Sequence, residues 1–218
     1  IEFDAGMSLV NLADEYERAC ARDLTSELSD ESLSRRRKVQ LEDLMGAIRL
    51  SSVNQNSSSN SSNVSFRHLA LLAQTKTSDE MVWESLGLDT NNPPSEILID
   101  RLTKMRTWIN SEHFPDDMRI EMIKQVPTNM LAEFSQDEKK VLSNLIKMLS
   151  TCQWDSDAIG ACVVEAAKSI EISPRVAYSV SYACLMGTRK GPRLAPILAE
   201  LEREQIVSQF RQCMESFD

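Results

Sequence analysis

The sequence predicts an all-α fold, and three observations carry that expectation. Six Gly and seven Pro in 218 residues are about half the usual share of these residues, too few for a many-turned β-sandwich. Apolar residues recur at steps of three and four through most of the chain, the period of an amphipathic helix. No segment keeps a period-two alternation over six residues, which a half-buried strand would need. At this length roughly 70% of the unfolded surface can be buried, so a core forms without covalent staples.

The elements follow in order. Leu9, Val10, Ala13, Tyr16, Cys20 and Leu24 mark a helix over 5–24. Leu41, Leu44, Met45 and Ile48 mark a second over 31–50. Residues 54–63, NQNSSSNSSN, have nothing to bury and read as a disordered insertion. A third helix is expected over 65–75, capped by Ser65, and a short fourth over 78–86, stopped by Gly87. Asn91-Asn92-Pro93-Pro94 is a break, followed by a helix over 95–112. The stretch 115–133, interrupted by Pro115 and Pro127, is looser. Ser135 with Glu138 is a capping box opening a helix over 135–151. Asp155 opens 155–171, and Ser173-Pro174 opens a helix that Gly187 ends. A last helical region runs from 192 to about 215, with Pro196 as the point where it divides in two.

Composition narrows the function. Lys and Arg number 24 and Asp and Glu 33, a net charge of −9. That argues against bulk adhesion to nucleic acid or anionic membranes, while leaving room for a local basic face. No run reaches 18 apolar residues, so no membrane span is expected. Cys20, Cys152, Cys162, Cys184 and Cys213 are odd in number and widely spaced. Most of them read as reduced core cysteines of a cytosolic protein rather than a disulfide framework or zinc site. No metal site is expected from His68 and His113, which are far apart. No secretory segment opens the chain. Because it begins at Ile1, it is expected to be a piece of a longer protein. It holds no Gly-rich phosphate loop, GxSxG or HExxH, so no catalytic residue is assigned.

Two cationic clusters remain. Arg35, Arg36, Arg37 and Lys38 are consecutive on a helix, either a solvated face or a set of phosphate contacts. Arg189-Lys190-Gly191-Pro192-Arg193 falls in a break between helices, near a helix start, where backbone N–H groups favour an anion. Residues 173–218 carry six basic and five acidic side chains, so this end is positive on an acidic chain. Trp83, Trp108 and Trp154 are either core or platforms for unpaired bases.

The run SPRVAYSVSYACLMGTRKGPRLAPILAELEREQIVSQFR resembles the terminal signature of class I lysyl-tRNA synthetases. The matching features are Tyr178, Tyr182, Gly187, Arg189-Lys190, Gly191-Pro192-Arg193 and Leu201-Glu202-Arg203-Glu204. The opening FDAGMSLVNLADEYERA, with Asp14-Glu15-Tyr16, and SFRHLALLAQ at 65–74 are similar to further segments of that family.

The resemblance implies a helical connecting region followed by an anticodon-binding helix cage. Its expected divisions are 1–53 (connecting segment), 54–63 (insertion), 64–133 (remainder of the connecting domain) and 134–218 (cage). It implies a parent enzyme, a cytoplasmic ligase of protein biosynthesis, that joins lysine to its tRNA with ATP and Mg²⁺ on a catalytic domain bearing HIGH-like and KMSKS-like motifs. Neither motif occurs here. The expected partner is tRNA, with no DNA and no membrane. Arg189, Lys190 and Arg193, with Arg175 and Arg203 behind them, are the candidates for the anticodon loop. Arg35, Arg36, Arg37 and Lys38 are the candidates for stem phosphates. Two other readings stay open at this point: the anticodon-binding region of a glutamyl-tRNA synthetase, and a non-catalytic helical protein-interaction module.

Overall fold

The computed structural model describes residues 6–51 and 64–217; the insertion expected at 54–63 lies outside them. Among the described residues the secondary structure is all-α, with no strand. The helices are α1 (Met7–Cys20), α2 (Leu24–Leu28), α3 (Arg35–Ser51), α4 (Phe66–Thr75), α5 (Asp79–Ser85), α6 (Glu96–Ile109), α7 (Thr128–Ala132), α8 (Gln136–Leu149), α9 (Ser156–Lys168), α10 (Pro174–Met186), α11 (Leu194–Ala199) and α12 (Arg203–Glu215). A 3₁₀ turn, Asp116–Met118, precedes α7. The chain forms two compact units, Ile1–Ala73 with Leu86–Phe114, and Gln74–Ser85 with Pro115–Asp218.

Local chemistry sets most boundaries. Ser95 caps α6 by accepting the Leu98 N–H at 3.2 Å. Ser135 and Glu138 form the capping box of α8. Asp155 accepts the Ala158 N–H at 2.8 Å to start α9, and Ser173 caps α10 with Pro174 at its first position. Each carboxylate or hydroxyl satisfies a donor that the helix itself leaves orphaned. Gly187 ends α10 at φ +66°, the left-handed conformation that glycine adopts without a Cβ penalty.

Three boundaries differ from the sequence reading. The helix expected over 5–24 stops at Cys20, because Asp23 caps a new helix, α2, by accepting the Ser26 N–H at 3.0 Å. The helix expected from 31 starts at Arg35: Asp30 accepts both the Ser32 N–H and hydroxyl, at 2.8 and 2.7 Å, and bends the chain there. The last helical region does divide, but at 200–202 rather than at Pro196. Pro196 sits in the first turn of α11, where a missing N–H costs no intrahelical bond. At the real break the Trp154 indole N–H donates to the Leu201 carbonyl at 2.8 Å.

In the first unit, α3 packs against α1 and α2, burying Val10, Leu24 and Leu41. Glu17 receives the Phe66 N–H at the start of α4, 2.6 Å away, an acid where the helix dipole favours one. Arg67 pairs with Asp14 at 2.6 Å. Trp108 lies between Phe66 and Phe114, ring centroids 5.4 and 4.8 Å away.

The second unit is built on α8, α9, α10 and α12. α10 packs against α8, α9 and α12, so Val180 through Met186 are buried on every side. Contacts at both ends fix the directions. Glu138 at the start of α8 meets Arg189 just beyond the end of α10. Phe134 meets Phe217 beyond α12, and Cys152 past the end of α8 meets Arg203 at the start of α12. Thus α10 and α12 both run antiparallel to α8. The looser stretch 115–133 is held by glutamines. Gln74 bonds Met118 and Ile120, and Gln209 bonds the Ile123 carbonyl at 3.1 Å.

Candidate nucleic-acid interface

The seven-residue turn from Gly187 to Arg193 joins α10 to α11. Left-handed Gly187 turns the chain out of α10, with Ile123 packed 3.4 Å from where its Cβ would be. The Thr188 hydroxyl donates to the Lys190 carbonyl at 2.7 Å and closes the loop on itself. Arg189 then points inward. Its guanidinium pairs with Glu138 and lies over the Phe134 ring, 4.9 Å from the centroid. Glu138 is only 14% exposed and Arg189 33%, so the pair is sheltered from water and little screened. Phe134 in turn meets Phe217 at 5.0 Å, and Lys139 covers Phe217 at 4.4 Å.

The far side of the turn rests on Tyr182 of α10. Its hydroxyl donates to the Pro192 carbonyl and takes a backbone hydrogen bond from Leu194. Burial, with a smaller push from Tyr178, raises the phenol above its ordinary pKa, against that backbone bond. Tyr182 is therefore a neutral donor at physiological pH. A Cβ at position 191 would lie 2.9 Å from Tyr182 Cε1. Only glycine lets the backbone come this close to the ring.

Between these supports the structure leaves two cations facing water. Lys190 and Arg193 are both exposed, three residues apart on one turn. Arg193 immediately precedes α11, a helix of six residues. So short a helix has a weak dipole, so the cations rather than the helix end supply the attraction for an anion.

Of the sequence candidates, Lys190 and Arg193 face solvent on the turn, whereas Arg189 is turned to Glu138 and Phe134; Arg175 and Arg203 lie elsewhere. Arg175 is exposed at the opposite end of α10, roughly 18 Å along the axis at 1.5 Å per residue. Arg203 donates to the Cys152 carbonyl at 2.6 Å and stacks on Trp154 at 5.2 Å, fastening the joint before α12. Trp154 and Trp108 are thereby engaged inside their own units, while Trp83 on α5 is half-buried. In the other unit, Arg35, Arg36 and Arg37 are exposed in the first turn of α3 and Lys38 is half-buried. The Glu27 carboxyl is held below its usual range first by Arg22 and further by Arg37. Asp30 is lowered by Ser32 and further by Lys38. Two of the four cations in that cluster therefore face acids of their own unit.

Sequence reasoning missed Phe134 and the roles of Glu138 and Tyr182. Glu138 was visible only as a helix cap, and Tyr182 only as part of an aromatic-containing helix. Neither signal shows a contact with a turn ten or fifty residues away. Among the described residues no group of three or more His, Cys, Asp and Glu is placed to hold a metal ion, and no helix is long and apolar enough to cross a membrane.

Residues 98–214 match the family model described as anticodon binding domain, a span that includes the whole turn. Several curated proteins are similar over nearly the full chain. A lysine–tRNA ligase of Thermoplasma volcanium is 26% identical over 97% of this chain and 39% of its own length. One of Picrophilus torridus is 23% identical over 96% and 38%, and one of Archaeoglobus fulgidus 26% identical over 94% and 36%. The chain thus spans less than two fifths of the length of these relatives.

Proposed function

This chain belongs to the anticodon binding domain family, and from that premise we propose that it is the tRNA-binding, anticodon-recognising portion of a lysine–tRNA ligase. The observation that carries the proposal is the supported turn at 187–193, which lies inside the matched span and offers Lys190 and Arg193 to solvent.

The chemistry fits an unpaired, uridine-rich loop. Each uracil edge has two carbonyl acceptors and one N–H donor, and such bases are read when splayed out of a stack. Lys190 brings three rotatable donors suited to carbonyl oxygens. Arg193 brings a planar fork that takes a phosphate bidentately. Arg35, Arg36 and Arg37, exposed on α3, are proposed to add phosphate contacts that position the tRNA without reading sequence. Arg175 is left as a phosphate contact of the same kind, and Arg203 as a fastener. Lysine, ATP and its Mg²⁺ are proposed to belong to the part of the relatives that this chain does not match. The cytoplasm, where translation occurs, is the proposed location.

Binding of a lysine-accepting tRNA transcript, measured by fluorescence anisotropy across about 50–200 mM salt, the range over which phosphate contacts lose most of their affinity, tests the reading. Neutralised phosphates release counterions, so log K falls linearly with log salt, by about 0.7 per contact to single-stranded RNA. A steep slope and preference over a glutamate-accepting transcript are expected. Salt-independent binding, or none, rejects the proposal in favour of helix-on-helix docking to a protein.

A further inference from the structure

Resting on the RNA-binding reading above, we propose that Glu138 and Tyr182 are positioning residues: neither touches RNA, and together they pin both ends of the cationic turn so that Lys190 and Arg193 engage it as one preformed pair.

The geometry supplies two independent pins. At the first end Glu138 divides its carboxylate. Oε2 accepts the Ser135 N–H at 2.8 Å and completes the helix cap, while Oε1 takes the Arg189 guanidinium. Arg189 is thereby withdrawn from the solvent-facing set and used as a strut against Phe134. At the second end the Tyr182 hydroxyl holds Pro192 and its ring fills the space beside Gly191. Both pins stand on helices that pack against each other, Tyr182 being itself 7% exposed. A free turn would have to order its backbone on binding, a loss on the order of tenfold in affinity per residue fixed. A pinned turn has met that cost during folding.

The sign of the Glu138 effect separates this role from simple electrostatics. Glu138 is an anion beside an RNA-binding turn. If it were only a charge, its removal would tighten RNA binding and free Arg189 for a further phosphate. As a positioning residue its removal weakens binding.

Glu138→Gln keeps the capping box, since Gln serves there as well as Glu, and removes the charged pair. Tyr182→Phe keeps the ring beside Gly191 and removes only the hydroxyl. In the full chain, each is expected to lower affinity for the lysine-accepting transcript about 3–10-fold, with the salt slope kept. In a Lys190→Ala/Arg193→Ala background the same changes are expected to cost less than about twofold, because the groups they position are gone. The two variants release opposite ends of the turn, so one that folds suffices. Unchanged affinity, tighter binding by Glu138→Gln, or losses that add fully to the double alanine background overturn the proposal while leaving the RNA reading intact. Absence of salt-dependent binding by the unmodified chain overturns both.

Discussion

Replacing Lys190 and Arg193 together by alanine is expected to weaken tRNA binding about 100-fold at moderate salt. A hydrogen bond to a charged group contributes a net ~1.5–3 kcal/mol, and each 1.4 kcal/mol is tenfold in affinity. Both side chains are exposed, so the fold is expected to survive the change. The salt slope should become shallower by about 1.4, two contacts at roughly 0.7 each. An affinity within threefold of the unmodified chain would show that the RNA lies elsewhere. The contrasting variant is Arg203→Ala. Its side chain holds the Cys152 carbonyl and Trp154, so its loss is read in thermal stability, not in the slope.

The largest effect on stability is expected at Phe210. It is wholly buried on α12, which packs against both α8 and α10. Phe210→Ala removes an aromatic side chain and leaves a cavity between packed helices, a loss of ~3–5 kcal/mol. Native domains have only ~5–15 kcal/mol in hand. Urea unfolding followed by circular dichroism should show the midpoint falling sharply, with RNA binding lost at the same denaturant concentration. A midpoint change equivalent to less than ~1 kcal/mol would mean that α12 does not carry the packing of this unit.

What the sequence made legible was local. Ser95, Ser135 with Glu138, Asp155, Ser173-Pro174 and Gly187 act within one helical turn of themselves, so their spacing announces their role. The all-α class follows from the same short-range periodicity. Boundaries were misplaced where two local signals compete. Leu24 continues the apolar step of α1, yet Asp23 starts a new helix one residue earlier. Pro196 looks like a break but falls where a helix tolerates proline, and the true break at 200–202 is fastened by Trp154 from 47 residues away. The candidate site divides in the same way. The run Arg189-Lys190-Gly191-Pro192-Arg193 locates the turn, but which cation faces water depends on Glu138, 51 residues earlier. Likewise Trp108 and Trp154 offer flat rings in sequence, and only packing shows them occupied by Phe66 and Phe114 and by Arg203.

On this reading the exposed cations of the 187–193 turn meet tRNA directly. Lysine acetylation by an amine-reactive reagent, read by mass spectrometry with and without a lysine-accepting transcript, tests it most directly. Bound tRNA should shield the Lys190 amine, and high salt, which displaces the RNA, should restore its reactivity. Lys190 acetylated at the same rate with saturating tRNA as without it would contradict the account.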